Sequence, residues 1–264
     1  MTQIRVLGLP TDANSSFLKG PAKAPPLVRD MMMSDKGNLS TELGGTFGEE
    51  IDVVDDGDLT LDGTPEDDQR IRDAVAAILA DDDIPILIGG DHAVTYPIMQ
   101  AIAEKHGPVS ILHFDAHPDL YDELLGNRRS HASPFARIME DKLASRLVQV
   151  GIRTLTPHQR EQAARFGVEI IPMRGFAVED VPLPDGPVYV SFDLDGLDPA
   201  YAPGVSHHEP GGLSVREALD LLDRIKGPVV GADVVEYNPD RDTHEMTCSV
   251  AAKLASELIA IAAR

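Results

Sequence analysis

The sequence predicts an α/β fold: a mostly parallel sheet with helices on both faces, in three layers. Two observations carry this. Short apolar, β-branched runs alternate with longer stretches of helical periodicity from one end of the chain to the other, and each run is followed by Gly, Pro, Asp, His or a polar turn. No internal repeat and no separating linker is present, so one domain over residues 1–264 is expected.

Taken in order, Ile4–Leu9 reads as the first strand. The opening Met1–Gly8 lacks the charged and apolar pattern of a leader, so a cytoplasmic protein is expected. Leu18–Val28, with Gly20-Pro21 and Pro25-Pro26, reads as an irregular connection before a short helix, and Asn38–Gly63 as surface loop around one weak strand, Ile51–Val54. From there helices and strands alternate. Apolar residues at helical spacing predict helices over Glu66–Ala80, Thr95–Lys105, Pro134–Leu143, Pro157–Phe166, Val215–Ile225 and Met246–Ala263. Short apolar runs predict strands at Pro85–Ile88, Val109–Phe114, Leu147–Gly151, Val168–Ile171, Val188–Phe192 and Val229–Val234.

Composition narrows the function. The chain has 264 residues, 42% of them hydrophobic, and 44 Asp+Glu against 23 Lys+Arg give a net charge of −21. Phosphate backbones and anionic membrane surfaces are repelled by such a charge, so neither nucleic acid nor membrane is expected as a partner. No run of about 18 apolar residues occurs. The lone Cys248 has no disulfide partner and rules out a thiolate zinc site; it reads as a small buried residue of the last helix. Any metal must be held by His and carboxylates. The clusters Asp55-Asp56 and Asp81-Asp82-Asp83 read as solvated turns or helix ends.

In an open parallel sheet, ligands bind beyond the carboxyl ends of the strands. There the chain places Val109-Ser110-Ile111-Leu112-His113-Phe114-Asp115-Ala116-His117-Pro118-Asp119. Alternation in an extended chain would put His113, Asp115, His117 and Asp119 on one face. Carboxylates that close need a cation to offset their repulsion. Asp193 and Asp195 form a second such row after Val188–Phe192, and Gly89-Gly90-Asp91-His92 ends a third strand. His92, Asp115, His117, Asp119, Asp193 and Asp195 make an imidazole and carboxylate set suited to Mn(II), Fe(II), Co(II), Ni(II) or Zn(II). Six ligands exceed the need of one ion; two ions sharing carboxylates use them all and hold a hydroxide at neutral pH.

With Ser130-His131-Ala132-Ser133, Ser191–Pro199 and Asp233–Pro239 these motifs, in order, resemble the ureohydrolase family of arginases and agmatinases. Asn14–Pro21, Ser130–Glu140, Gly204–His207 and Gly231–Asp242 look like its plant-type arginase branch. The resemblance implies one eight-stranded parallel sheet, two Mn2+ per subunit, and trimers or hexamers. It also implies a small cationic guanidino substrate, with L-arginine hydrolysed to urea and L-ornithine by a metal-bridging hydroxide. Agmatine to putrescine and urea, or guanidinobutyrate hydrolysis, is the alternative. By resemblance, one manganese is held by His92, Asp115, Asp119 and Asp193 and the other by His117, Asp115, Asp193 and Asp195. Glu236 matches the guanidinium-binding carboxylate and His131 the proton-shuttling His. His113 has no counterpart among the family's ligands and is expected to pack behind them, and Asp91 and Asp198 to fix ligand or backbone geometry.

The other end of the substrate is read elsewhere. The loop Leu120–Arg129 is expected to line the mouth, with Asn127 touching substrate; an Arg there either pairs with an α-carboxylate or faces solvent. His207, in the Gly204–Gly212 loop, is a second candidate for the substrate tail.

Overall fold

The structure, a computed structural model, describes residues 2–264. Its strands are β1 (Ile4–Leu9), β2 (Val53–Asp58), β3 (Ile84–Gly89), β4 (Val109–Phe114), β5 (Ala144–Ile152), β6 (Glu169–Pro172), β7 (Val188–Asp193) and β8 (Val229–Val235). They form one eight-stranded sheet in the order β2-β1-β3-β8-β7-β4-β5-β6, with every pairing parallel. Among the described residues seven α-helices connect them: α1 (Ala24–Met33), α2 (Asp67–Ala80), α3 (Thr95–His106), α4 (Pro134–Glu140), α5 (Pro157–Phe166), α6 (Val215–Asp223) and α7 (Met246–Ala262).

Strand alternation sorts the apolar side chains onto two faces. Ile86, Ile88, Leu112, Phe114, Val190 and Phe192 pack under α1, α6 and α7. Leu87, Ile111, Leu147 and Tyr189 pack under α2, α3 and α4. Both faces are therefore dry, as a parallel sheet requires. The result is the three-layer α/β arrangement the sequence predicts.

Three local expectations change. The two prolines read as breakers are the start of α1: they occupy its first turn, where an amide hydrogen has no helical partner. The weak edge strand runs Val53–Asp58, because Arg5 and Arg29 pair with Asp56 and Asp55 and let the acids enter the sheet. Asp83 is not a solvated turn residue; it is buried, accepts the Gln3 amide at 2.9 Å and lies 3.5 Å from the Arg5 guanidinium.

Candidate active site

Side chains from three strand ends converge over the middle of the sheet. β3 ends at Gly89, and Asp91 caps the following turn (His92–Val94), its Oδ1 accepting the Ala93 amide at 3.1 Å. Gly90 is the point of closest approach to the neighbouring chain: a Cβ there would lie 1.7 Å from the Thr11 carbonyl oxygen. β4 stops at Phe114, so Asp115–Asp119 is loop and not the extended row expected from alternation; Asp119 reaches inward from a left-handed backbone, φ 49°. β7 stops at Asp193, which caps the next turn (Leu194–Gly196) by accepting the Asp195 amide at 2.8 Å.

These ends bring the six candidate donors together in two groups that share Asp115. His92 Nδ1 lies 3.3, 3.2 and 3.1 Å from oxygens of Asp115, Asp119 and Asp193. His117 Nδ1 lies 3.4 Å from Asp115 Oδ1 and 3.1 Å from Asp195 Oδ2. Asp193 enters the first group through Oδ2, while its Oδ1 is committed to the Asp195 amide.

The donor set fits divalent cations for a reason visible one layer down. Asp233, on β8, is buried and accepts hydroxyls of Tyr189 and Thr95 on Oδ2 and of Ser191 on Oδ1. With its hydrogen spent there, Ser191 must accept from His92 Nε2, 2.9 Å away. That leaves His92 Nδ1 facing three carboxylate oxygens, buried and without a hydrogen-bond partner. Donors at about 2.1 Å from one hard octahedral ion lie about 3 Å from each other. The spacings from His92 Nδ1 match that edge, so a cation held beside that nitrogen would satisfy it together with the oxygens it faces.

Charge in the site agrees. Burial and the Asp115 charge push the Asp119 carboxyl up to about 7, and burial with the charges of Asp195 and Asp115 pushes Asp193 well above its ordinary range. Burial works against a charged His117, yet Asp195 and Asp115 outweigh it and raise the ring to about 12. These are the shifts of a site short of positive charge.

Beside this cluster stands Glu236, one residue past β8, buried and with φ 64°. Its Oε1 accepts the His92 amide at 2.9 Å and His131 Nδ1 at 2.8 Å. Oε2 has no protein donor among the described residues. Burial alone would raise this carboxyl; His131 and the two hydrogen bonds bring it below its ordinary value. His131 Nε2 accepts from the Ser16 amide at 3.2 Å and meets the Ser16 hydroxyl at 2.8 Å, the bonding pattern of a neutral ring. With the carboxylates uncompensated, burial opposes its charge but Glu236 prevails and lifts it to about 9. A cation held among those carboxylates would cancel part of that pull and favour the neutral ring.

A model of the arginase family matches residues 2–260. The chain belongs to the arginase family. It is 49% identical to "Arginase 1, mitochondrial" of Oryza sativa subsp. indica, over 97% of this chain and 80% of that protein. It is 38% identical to "Agmatinase, mitochondrial" of Gallus gallus, over 97% of this chain and 79% of that protein. The solved arginase from Medicago truncatula superposes with a TM-score of 0.93 at 44% identity, covering 99% of this chain and 87% of that one. This arginase-family protein is thus a metal-dependent hydrolase of the arginase and agmatinase type, a group acting on small guanidino substrates. The cytoplasmic expectation is overturned, since the plant relatives it matches are named as mitochondrial proteins. The opening segment is indeed strand β1, but a strand in the folded sheet is compatible with any compartment and carries no address.

The mouth of this arginase-family site is a cavity of about 170 Å³ lined by Ser16, His117, Tyr121, His131, Thr154 and His207, among others. His207 lies beside both Phe17 and His131, with tilted rings whose centroids are 5.4 and 5.6 Å away. Asn127 is not at the mouth. Its amide donates to Asn14 Oδ1 at 3.0 Å and it lines a neighbouring cavity of about 250 Å³ with Arg129 and Asp68. Both loop arginines turn away as well: Arg128 pairs with Asp122 and Glu140, and Arg129 with Asp68 over the Tyr96 ring. Asp91 and Asp198 serve backbone geometry, Asp198 accepting the amides of Ala200, Gly211 and Gly212. Ser16, Ser191 and Asp233 were not singled out as site residues in the sequence. The signal for Ser191 and Asp233 was polar residues inside otherwise apolar strands, on the face that leads to the ligands.

Proposed function

We propose that this protein is an arginase, hydrolysing the guanidino group of L-arginine to urea and L-ornithine with two manganese ions. The observation that carries the reading is the juxtaposition of a carboxylate-rich cation site with Glu236, whose Oε2 is open. His92, Asp115, Asp119 and Asp193 would hold one ion, and His117, Asp115, Asp193 and Asp195 the other. Bound there, such ions offset the clustered carboxylates and lower the pKa of water, which makes a nucleophile available at neutral pH.

The chain's own residues then do the rest. Glu236 Oε2 accepts from the guanidinium and fixes its plane, a charge-assisted contact made stronger by burial. The His92 amide holds Oε1, so the anchor and the ligand segment keep a constant separation. His131 Nε2, an acceptor at the mouth beside Ser16, would first take a proton from solvent there, giving up the Ser16 contact, and then pass it to the departing amine while Nδ1 stays on Glu236. Ser16, Thr154 and His207 surround the substrate tail. The identity to plant arginases supports arginine as the substrate. With it we extend to this protein the trimeric or hexameric assembly, checked by sedimentation.

A second reading, agmatine to putrescine and urea, is favoured by one observation: neither Arg128 nor Arg129 faces the mouth, so no guanidinium from that loop awaits an α-carboxylate. Urea release from arginine, agmatine and 4-guanidinobutyrate with added Mn(II) decides between them. Arginine is expected to be turned over fastest; preference for agmatine supports the second reading, and inertness on all three removes both.

A further inference from the structure

A row of register-paired residues crosses four adjacent strands just below the ligand cluster: Gln149 on β5, His113 on β4, Ser191 on β7 and Asp233 on β8. All four are fully buried. Ser191 and Asp233 set the hydrogen on His92, as described. The other half of the row acts on a different ligand.

The Gln149 amide nitrogen donates to the Pro118 carbonyl oxygen at 2.7 Å. A carbonyl only accepts, so this contact fixes which end of the amide is nitrogen. The second amide hydrogen is aimed at His113 Nδ1, 3.0 Å away, which must therefore present a lone pair. In the neutral ring the hydrogen is then on Nε2, 2.9 Å from Asp115 Oδ2. The fully buried ring lies against Phe135, centroids 4.0 Å apart, a packing that opposes its turning. His113 also lies close enough to His92 and Asp115 to form a ligand triplet with them, its Nε2 being the nitrogen nearest Asp115. The direction of the Gln149 hydrogen excludes that role, because the nitrogen offered is an N–H.

We propose that Gln149 and His113 are positioning residues for Asp115, passing one hydrogen-bond direction from amide to imidazole to carboxylate. Asp115 is the residue shared by both donor groups, and its rotation decides whether they share it. The His113 N–H holds Oδ2 and the His117 amide holds Oδ1 at 2.6 Å, so one oxygen is directed to each group. The inference rests on the two-ion reading given above.

The test is a calorimetric Mn(II) titration of chelator-stripped protein, comparing wild type with His113→Phe, His113→Gln and Gln149→Met. His113→Phe keeps the stack on Phe135 and removes the donor; it is expected to bind roughly 10- to 100-fold more weakly with unchanged stoichiometry. Gln149→Met is expected to lose about 10-fold. His113→Gln, which restores an N–H, is expected to recover part of the loss, which a merely space-filling role would not produce. Ring nitrogen spectra of the zinc-loaded protein should show His113 protonated on Nε2. Should His113→Phe not fold, Gln149→Met and those spectra carry the test. Wild-type affinity in His113→Phe and Gln149→Met, or a His113 Nε2 without its proton, overturns the inference, as does loss of one ion's worth of binding in His113→Phe. Failure of wild type to take up any Mn(II) would instead strike the two-ion reading itself.

Discussion

Glu236 and Asp119 both sit in the left-handed backbone region, at φ 64° and 49°, where residues with side chains are rarely found unless their surroundings hold them. Asp119 belongs with the clustered donors and Glu236 stands beside them, so ligand and anchor roles can be separated by mutation. Asp115→Ala removes the carboxylate common to both donor groups and is expected to abolish metal uptake and urea release together. Glu236→Gln keeps every candidate ligand; it is expected to retain Mn(II) in a metal assay while kcat/KM falls by about 100-fold, the size of a lost charge-assisted contact in a buried site. Full turnover in the second variant contradicts the anchoring role. Proton competition gives a further expectation. With no cation bound, burial disfavours charge on His92 and His117, but the facing carboxylates raise both, His117 to about 12, so protons compete with a metal for these rings. Binding a metal displaces those protons, so apparent Mn(II) affinity should rise with pH, about tenfold per unit for each proton released. Calorimetry at pH 6.5 and 8.5 in two buffers measures this; affinity that falls with pH would be incompatible with it. The six donors were legible in sequence because carboxylates and imidazoles at the ends of apolar strands have no cheaper explanation. Asn127, Arg128 and Arg129 were not, because a loop has no period from which the direction of a side chain follows.

Elements place the site more than any single contact does. Gly90, the residue just past β3, lets the His92 turn begin against the Thr11 carbonyl. Gly90→Ala is expected to destabilise the fold by on the order of 1–3 kcal/mol and to displace His92, seen as a lower urea midpoint and weaker Mn(II) binding. A midpoint equal to wild type would show that the backbone there can move aside. The ends of β3, β4, β7 and β8 in the middle of the sheet fall within a residue of the sequence reading, since apolar runs buried on both faces have sharp ends, whereas β5 begins three residues earlier, at Ala144, where Glu169-paired Arg146 enters the strand. They were misread at the edge: β2 carries Asp55, Asp56 and Asp58, and only the arginines on β1 and α1 explain why acids extend that strand. α4 stops at Glu140, short of Leu143, because Lys142 takes a left-handed conformation. The ligand row Asp115–Asp119 was assigned to one face of a strand; the residues meet, but through a loop beyond the strand end. Alternation picks out the residues that meet there, although the backbone that brings them together is loop and not strand.

At the scale of the whole molecule, the net charge of −21 is a field as well as a count. A cationic guanidino substrate is drawn toward it and salt screens the attraction, with a Debye length falling from about 30 Å at 0.01 M to about 8 Å at 0.15 M. KM for the preferred substrate should therefore rise across that range while kcat stays constant; a salt-independent KM would confine the effect of charge to the site. The sheet order has another consequence. β3 and β4 are consecutive in the chain yet stand apart in the sheet, with β8 and β7 between them. A chain emerging from the ribosome carries His92, Asp115, His117 and Asp119 long before the strands that separate and align them exist. β7 brings Asp193 and Asp195, and only β8 closes the gap to β3 and presents Glu236. A nascent or truncated product has the early ligands without a common centre to surround. The complete set of donors thus exists only once nearly the whole sheet has been made, which suits an ion to a final clasp on the folded chain better than to a seed for its folding.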